Sequence, residues 1–207
     1  MDLVIFSLII LLFSVIIHEI AHGSVAYYLG DSTAKYQGRL TLNPLKHLDP
    51  FGSVILPLLL LLATAGAGPV FGWAKPVPVN PYNFRDQKWG QLKVAIAGPA
   101  ANFSVAVFFG LLIRFLDLPS SLFYLFSIVV VYNFLLGIFN LIPLPPLDGS
   151  WVLFGLIGKE SSKIKIFLQQ YGMVILIGVV FFGLRWVYMG AVILYYLVTG
   201  QNIIGWN

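Results

Sequence analysis

The chain alternates between long apolar segments and short polar stretches. The apolar segments lie at about 3–29, 52–72, 92–116, 122–157 and 172–200. Each reaches the roughly 20 residues that a helix needs to cross a bilayer. Backbone polar groups in lipid must be satisfied within the segment, so helices are expected. The pattern predicts an all-α polytopic membrane protein, a helical bundle of about 4–6 membrane segments.

The stretches between these segments are too short to form a soluble domain. We therefore predict one transmembrane domain over residues 1–207, with a core at 3–157 and a C-terminal membrane segment at 172–200. "KYQGRLTL" at 35–42 alternates weakly and predicts a short edge strand. "KPVPVNPYN" at 75–83 holds three prolines, which predict an extended or hairpin loop and not a helix.

Composition agrees with a membrane protein and narrows its partners. Hydrophobic residues make up 59% of the 207 residues and charged residues 10%, well below the soluble average of about 25%. Cysteine is absent, which excludes disulfides and thiolate metal ligands. The net charge of +4 comes from loop residues beside apolar segments, which is typical of positive-inside bias. We expect membrane lipid around the chain and no nucleic-acid partner.

The placement of basic residues predicts the topology. If 52–72 crossed the bilayer, the basic residues around it would be split between the two sides. If it enters and returns as a re-entrant element, seven basic residues group on one side, as the positive-inside rule favours. These are Lys35, Arg39, Lys46, Lys75, Arg85, Lys88 and Lys93. The amino terminus is then outside a multi-pass membrane protein, with the segment at 3–29 a retained span, and the active site opens toward the cytoplasm.

The segment at 172–200 is longer than one span, and Arg185 lies near its middle. Two arrangements accommodate this charge. The segment is either one tilted helix, or two short arms with Arg185 reaching toward water at their turn.

The first apolar segment contains "HEIAHG" at 18–23. On a helix, His18 and His22 share a face and can bind one metal ion, while Glu19 can act on the water that the metal activates. Ionisable residues inside a span are costly and usually mark a functional site. The spacing therefore predicts a zinc centre of the H-E-x-x-H type.

A catalytic zinc site usually takes a third protein ligand. Asp148 follows an apolar segment that Pro143, Pro145 and Pro146 interrupt, and a broken helix at membrane depth is expected only beside protein or a wet cavity. We predict that Asp148 is this ligand. The alternatives are that Asp148 only caps a helix starting near Ser150, or that His47 in the preceding loop is the ligand.

Three motifs together resemble those of the site-2 proteases, a family of intramembrane zinc metalloproteases. They are "HEIAHG" at 18–23, "AGPAANF" at 97–103 and "NLIPLPPLDG" at 140–149, and "FGWAKPVPVNP" at 71–81 resembles a loop of short prokaryotic members without PDZ or CBS modules. The resemblance implies that one zinc ion is bound by His18, His22 and Asp148, with Glu19 as general base. It implies regulated cleavage of transmembrane or membrane-proximal protein substrates.

The resemblance also implies that Asn140 holds substrate or stabilises the oxyanion, with Asn102 a weaker candidate for a similar part. Asn102 alternatively forms only an interhelical hydrogen bond, and Gly98 permits close helix packing. Two other functions fit part of the pattern. A membrane metal transporter or channel would also place His and Asp within its spans, and an inactive scaffold would need neither Glu19 nor Asp148.

Overall fold

The computed structural model describes residues 2–63, 74–157 and 162–202. Its α-helices, in chain order, are α1 (Asp2–Tyr28), α2 (Thr33–Tyr36), α3 (Leu56–Ala63), α4 (Gly90–Phe115), α5 (Ser120–Asn140), α6 (Asp148–Ile157) and α7 (Ser162–Thr199). Within these described ranges, α1, α4, α5 and α7 are long and apolar enough to cross a membrane. The predicted all-α membrane bundle is confirmed.

The bundle is organised around α4 and α5, and α1 and α7 pack against both of them. A buried apolar cluster joins α4, α5 and α7; it comprises Ala106, Ile113, Val130, Val131, Phe134, Ala191 and Tyr195. Helices α1 and α4 are antiparallel, because Ser14 contacts Asn102 whereas His22, further along α1, contacts Val94. The end of α1 and the start of α4 therefore lie at one end of the bundle, which we call the site end.

The connection from α1 to α4 begins and ends at the site end. The N–H of Arg85 donates to the carbonyl of Leu29 at 2.7 Å, which ties the two limits of the connection together. Between them the chain forms a π-helical turn at Pro50–Ile55 that leads into α3. This is the arrangement that a re-entrant segment at 52–72 requires, although residues 64–73 of that prediction lie outside the described part of the chain.

The predicted edge strand at 35–42 is wrong. This stretch contains the end of the short helix α2 and a turn at Gly38, whose φ is +62°. The turn is closed by the N–H of Arg39, which donates to the carbonyl of Ala34 at 2.9 Å. A positive φ at Gly38 reverses the chain where a strand would have to stay extended.

The loop with three prolines is extended over residues 75–80, as predicted. A single 3₁₀ turn follows at Pro81–Asn83, and the side chain of Asn80 caps it by accepting from the N–H of Tyr82. Proline suits the first position of such a turn because no hydrogen bond is needed there.

The helical path through 122–157 is interrupted, as the prolines predicted. Helix α5 ends at Asn140, and α6 begins at Asp148. Pro143, Pro145 and Pro146 all lie in the segment between the two helices. The interruption frees Asp148 to stand at the first position of a new helix.

Helix α7 runs without a break through Arg185, so the single-helix alternative is the one observed. It also begins ten residues before the predicted start at 172, because "SKIKIFLQQY" is helical despite its polar residues. At the far end, the Arg114 guanidinium donates to the carbonyl of Leu197 at 3.0 Å, which caps the last turn of α7.

Candidate metal centre

His18, His22 and Asp148 converge on one point inside the site end of the bundle. The Nε2 atoms of the two histidines are 2.9 Å apart. Asp148 Oδ2 lies 3.0 Å from His18 Nε2 and 3.2 Å from His22 Nε2. Helix α1 supplies both imidazoles from one face, and the start of α6 supplies the carboxylate. The structure thus brings together the three residues that the sequence singled out as metal ligands.

The orientation of His18 is set by a buried polar network. His18 Nδ1 is 2.7 Å from Asn102 Oδ1. The Asn102 amide nitrogen donates to the carbonyl of Ser14 at 3.1 Å and to Asn133 Oδ1 at 2.9 Å. Because a carbonyl only accepts, these bonds fix which end of the Asn102 amide is oxygen. His18 Nδ1 must then carry a proton, so in the neutral ring Nε2 is the nitrogen with a lone pair for a metal.

His22 is oriented in the same way by a different partner. Its Nδ1 is 2.6 Å from the backbone carbonyl of Val94 on α4. The carbonyl can only accept, so Nδ1 donates, and in the neutral ring Nε2 is again the nitrogen with a lone pair for a metal. Hydrogen bonds of this kind, from the far ring nitrogen, fix the tautomer of metal-binding histidines.

The three converging atoms fit a zinc ion. Two imidazole Nε2 atoms and a carboxylate oxygen lie about 3 Å from one another, and one proton could bridge only one pair of them. A tetrahedral ion with bonds of about 2.0–2.1 Å separates its ligands by about 3.3 Å. Asp148 Oδ2 is also buried with no hydrogen-bond donor among the described residues. A cation would satisfy all three atoms at once.

Gly98 allows α4 to lie directly against the two imidazoles. A Cβ at this position would stand 2.6 Å from both Cε1 and Nε2 of His18. No real Cβ approaches a heavy atom so closely, so only glycine fits here. The expectation that Gly98 permits close packing holds, and the group packed against it is the face of α1 that carries His18 and His22.

Glu19 faces a cavity of about 530 Å³ beside the three ligands. The cavity is lined by His18, Glu19, His22, Pro76, Val77, Val79, Pro81, Phe84, Gln91, Val94, Ala95, Asn140, Pro146, Asp148 and Trp151. Glu19 Oε2 accepts a hydrogen bond of 2.6 Å from the backbone N–H of Val77. The carboxylate therefore stands between the metal ligands and the extended loop at 75–80.

The remaining candidate residues divide into two groups. Asn140 lines the cavity, and its amide donates to the carbonyl of Leu136 at 3.0 Å. Asn102 is fully buried and uses both amide hydrogens inside the bundle, which matches the interhelical alternative. His47 is fully buried in the α1–α4 connection, where its Nε2 bonds the carbonyl of Thr41. It lies outside the cluster of three ligands.

Two buried charged residues near the site were not singled out by the sequence. Asp31 and Arg39 are 1% and 4% exposed, and both bind the loop at 75–80. They occur in a polar stretch where charged side chains are usually solvated. Each directly follows a glycine with positive φ, Gly30 before Asp31 and Gly38 before Arg39, and these turn-forming glycines were the one signal in the sequence.

With this geometry established, comparison with known proteins identifies the class. The model of peptidase family M50 matches residues 117–179. The chain is 39% identical over 180 residues to YwhC of Bacillus subtilis, an assigned zinc metalloprotease, which covers 82% of this chain and 77% of YwhC. The chain belongs to peptidase family M50, the site-2 protease family that its motifs resemble.

Two further relatives agree with this assignment. Rip2 of Mycolicibacterium smegmatis, also assigned as a zinc metalloprotease, is 33% identical over 170 residues, which is 80% of this chain and 62% of Rip2. The zinc metalloprotease MJ0392 of Methanocaldococcus jannaschii is 32% identical over 78 residues, or 38% of this chain and 23% of MJ0392. The chain thus spans less than two thirds of the length of both. No solved structure matches at comparable significance.

The protein is therefore a zinc metalloprotease of the membrane, and its substrate is protein. Family membership favours proteolysis over the alternative of a metal transporter or channel. The cluster of His18, His22 and Asp148 is a place where this protein could bind its metal.

Proposed function

We propose that this chain is an intramembrane zinc metalloprotease that hydrolyses peptide bonds of transmembrane or membrane-proximal substrates. The observation that carries the proposal is the convergence of two imidazole Nε2 atoms and a buried carboxylate oxygen at the site end of a bundle in which four of the described helices are long enough to cross a membrane. His18, His22 and Asp148 hold the ion. Zinc, when bound, supplies Lewis acidity that polarises a carbonyl and acidifies water.

Glu19 serves as general base in this proposal. It follows His18 directly and lines the same cavity, so its carboxylate can take a proton from water beside the three ligands. The same carboxyl group then returns the proton to the leaving amine. A positioned acid–base group contributes about 10²–10⁴-fold to rate.

Asn140 is proposed to stabilise the developing oxyanion. One of its amide hydrogens is engaged with Leu136, and a primary amide carries a second. In a site of low dielectric constant, one such donor is worth a few kcal/mol. The interrupted segment after Asn140 gives the cavity a non-helical wall, beside which a substrate helix would have to unwind before cleavage.

Three substitutions test these parts. Glu19→Gln should reduce turnover by about 10²-fold or more and leave zinc bound, because the amide keeps the shape of the side chain but takes no proton. Asp148→Ala should lose zinc and proteolysis together, whereas Asn140→Ala should keep zinc and lower turnover. Zinc is measured by atomic absorption on purified protein. An active Glu19→Gln protein would refute the proposed base, and stoichiometric zinc in Asp148→Ala would refute the ligand.

The cytoplasmic orientation of the site is also proposed. Seven basic residues belong to the connection that starts and ends at the site end, or to the first turn of α4 beside it, which favours a cytoplasmic site end.

Cysteine labelling tests this orientation. The chain has no cysteine, so single cysteines can be labelled without background. Tyr82→Cys, at a position 90% exposed, should react with an impermeant maleimide only after permeabilisation. Leu116→Cys at the opposite end should react in intact cells, and the reverse pattern would invert the topology.

A further inference from the structure

Residues 75–80, which we call the strap, cross α1 on the face that carries Glu19. Gly23 lies four residues after Glu19 and therefore on the same face. A Cβ at Gly23 would stand 2.8 Å from Val77 Cγ1, so the bare backbone lets the strap lie directly on the helix. At this crossing the N–H of Val77 meets Glu19 Oε2 at 2.6 Å.

The strap offers few backbone donors. Pro76 and Pro78 flank Val77 and carry no N–H, so Val77 supplies the one amide hydrogen of this three-residue stretch. A residue before proline is also restricted to extended conformations, which keeps Val77 straight. The contact with Glu19 thus depends on where the two ends of the strap are held.

Arg39 holds the first end. Its guanidinium is 4% exposed and donates to the carbonyl of Lys75 at 2.6 Å and to that of Pro76 at 3.3 Å. The N–H of Lys75 also donates to the carbonyl of His47 at 2.9 Å. Both the N–H and the carbonyl of Lys75 are therefore held, two residues before Val77.

Asp31 holds the second end. Its carboxylate is 1% exposed and accepts from the N–H of Asn80 at 2.7 Å and from the amide of Asn83 at 2.8 Å. Burial raises the pKa of this carboxyl group, but hydrogen bonds from Thr33, Asn80 and Asn83 outweigh burial and hold the pKa below its ordinary value. Asp31 is accordingly ionised at neutral pH, and a charged acceptor makes the stronger bond.

Burying two charged side chains is costly unless they are well bonded. Arg39 bonds the strap before Val77, and Asp31 bonds it at Asn80. They therefore lie on either side of the N–H that contacts Glu19. Asp31 also accepts from Thr33 and from Asn83. A glutamate side chain has three rotatable bonds, and a general base works only when it is oriented. The N–H of Val77 holds Oε2 of Glu19. The other carboxylate oxygen, Oε1, is therefore the one that can contact water.

We propose that Asp31 and Arg39 are positioning residues for catalysis: they hold the strap so that the N–H of Val77 orients the carboxylate of Glu19. This inference rests on Glu19 being the general base. It assigns a part in the reaction to two residues that touch neither the metal ligands nor the cavity.

Amide hydrogen exchange tests the geometry without any substrate. A peptide covering residues 75–80 carries four amide hydrogens, since two of the six residues are proline. Arg39→Met and Asp31→Asn should speed exchange at Val77 about tenfold or more, because the amide loses its partner. Lys35→Met is the matched control, since Lys35 is exposed and donates to the hydroxyl of Tyr27. Unchanged exchange at Val77 in both test variants would overturn the proposal.

Steady-state cleavage of fluorescein-labelled casein in detergent micelles tests the catalytic part. We expect Arg39→Met to lower kcat about 10- to 100-fold with KM nearly unchanged and zinc retained, because a small displacement of a catalytic group can cost about 10²-fold. Arg39→Lys should recover part of the loss, since an ammonium can still reach the carbonyl of Lys75. Lys35→Met should cleave at the wild-type rate.

A double-mutant cycle with Val77→Pro decides whether Arg39 acts through the Val77 amide. Proline removes this N–H and suits the extended backbone, whereas Val77→Ala keeps the N–H and removes packing only. In the Val77→Pro background, Arg39→Met should cause little further loss of kcat. Fully additive losses, or loss of zinc in parallel with kcat, would overturn the inference.

Glu19→Gln separates the two proposals. If this variant stays active, the assignment of Glu19 as base fails. An active Arg39→Met beside an inactive Glu19→Gln refutes only the positioning.

Discussion

The two walls of the cavity hold their polar groups in different ways. On the helical wall, His18 and His22 are oriented by partners on α4, namely the side chain of Asn102 and the carbonyl of Val94. On the strap wall, the groups are backbone atoms of an extended loop, and the buried side chains of Asp31 and Arg39 hold them. One wall is fixed by helix packing and the other by charged hydrogen bonds.

This difference separates metal binding from catalysis. Both histidines lie on α1, whose backbone is satisfied internally, so their geometry depends on how α1 packs against α4 and on the polar network around Asn102. The strap has no helical hydrogen bonds of its own, and among the described residues no hydrogen bond joins it to the side chains of His18, His22 or Asp148. Substitutions on the helical wall should therefore affect zinc first, and those on the strap wall should affect turnover first.

The largest effect is expected from Gly98→Ala. The added methyl group would enter the space of the His18 ring, which Asn102 holds in place, and overpacking of this kind typically costs about 1–3 kcal/mol. We expect loss of both zinc and proteolysis, measured by metal analysis and casein cleavage. Gly178→Ala on α7 is the control, because nothing lies within 4 Å of its new Cβ. A Gly98→Ala protein with full zinc would mean that α4 can shift to make room for the methyl group without disturbing the zinc site.

Asn102→Ala should have a smaller effect on the same wall. It removes the acceptor for His18 Nδ1 and leaves this ring free to change tautomer. Loss of such a partner typically lowers metal affinity about 10–100-fold. Competition with a chelator measures the affinity, and Ser104→Ala, at an exposed position of α4, is the control. Equal zinc affinity in the two variants would show that the network serves packing only.

Gly23→Ala should have the smallest effect and should act on the other wall. Its Cβ would meet Leu40 Cδ2 at 2.6 Å and Val77 Cγ1 at 2.8 Å, which are ends of side chains that can shift. We expect a loss of kcat of about severalfold with zinc unchanged, since the strap is raised from Glu19. The loss is measured as the ratio of proteolytic activity to bound zinc, compared with the same ratio in the control Gly178→Ala. A fall in zinc content would contradict the separation of the two walls.

The parts of the site that lie on regular helices were predictable from the sequence. The segment predicted at 3–29 is a helix at Asp2–Tyr28, and helical spacing alone placed His18, Glu19 and His22 together. Asp148 was predicted because an acidic side chain beside three prolines in an apolar segment is costly unless a cation or a helix end compensates its charge. In each case one local rule was sufficient, either the helical period or the cost of a charge in lipid.

The strap wall was not predictable for the opposite reason. Arg39 is bonded to residues 75 and 76, and Asp31 to residues 80 and 83, and no local rule links positions so far apart. Both residues occur in a polar stretch, where a charged side chain is expected to face water. The wrong strand at 35–42 has a local origin instead, since the prediction followed the weak alternation and left out the turn at Gly38.

The separation of the ligands along the chain has a consequence for biosynthesis. His22 is made 126 residues before Asp148, so the pair of histidines enters the membrane long before its third partner. At about 5–20 residues per second, the delay is on the order of 6 to 25 seconds. Until α6 has been translated, the proposed ligand set is incomplete and the nascent chain cannot hold a catalytic ion. The order of synthesis thereby delays proteolysis until most of the bundle around the cavity has been made.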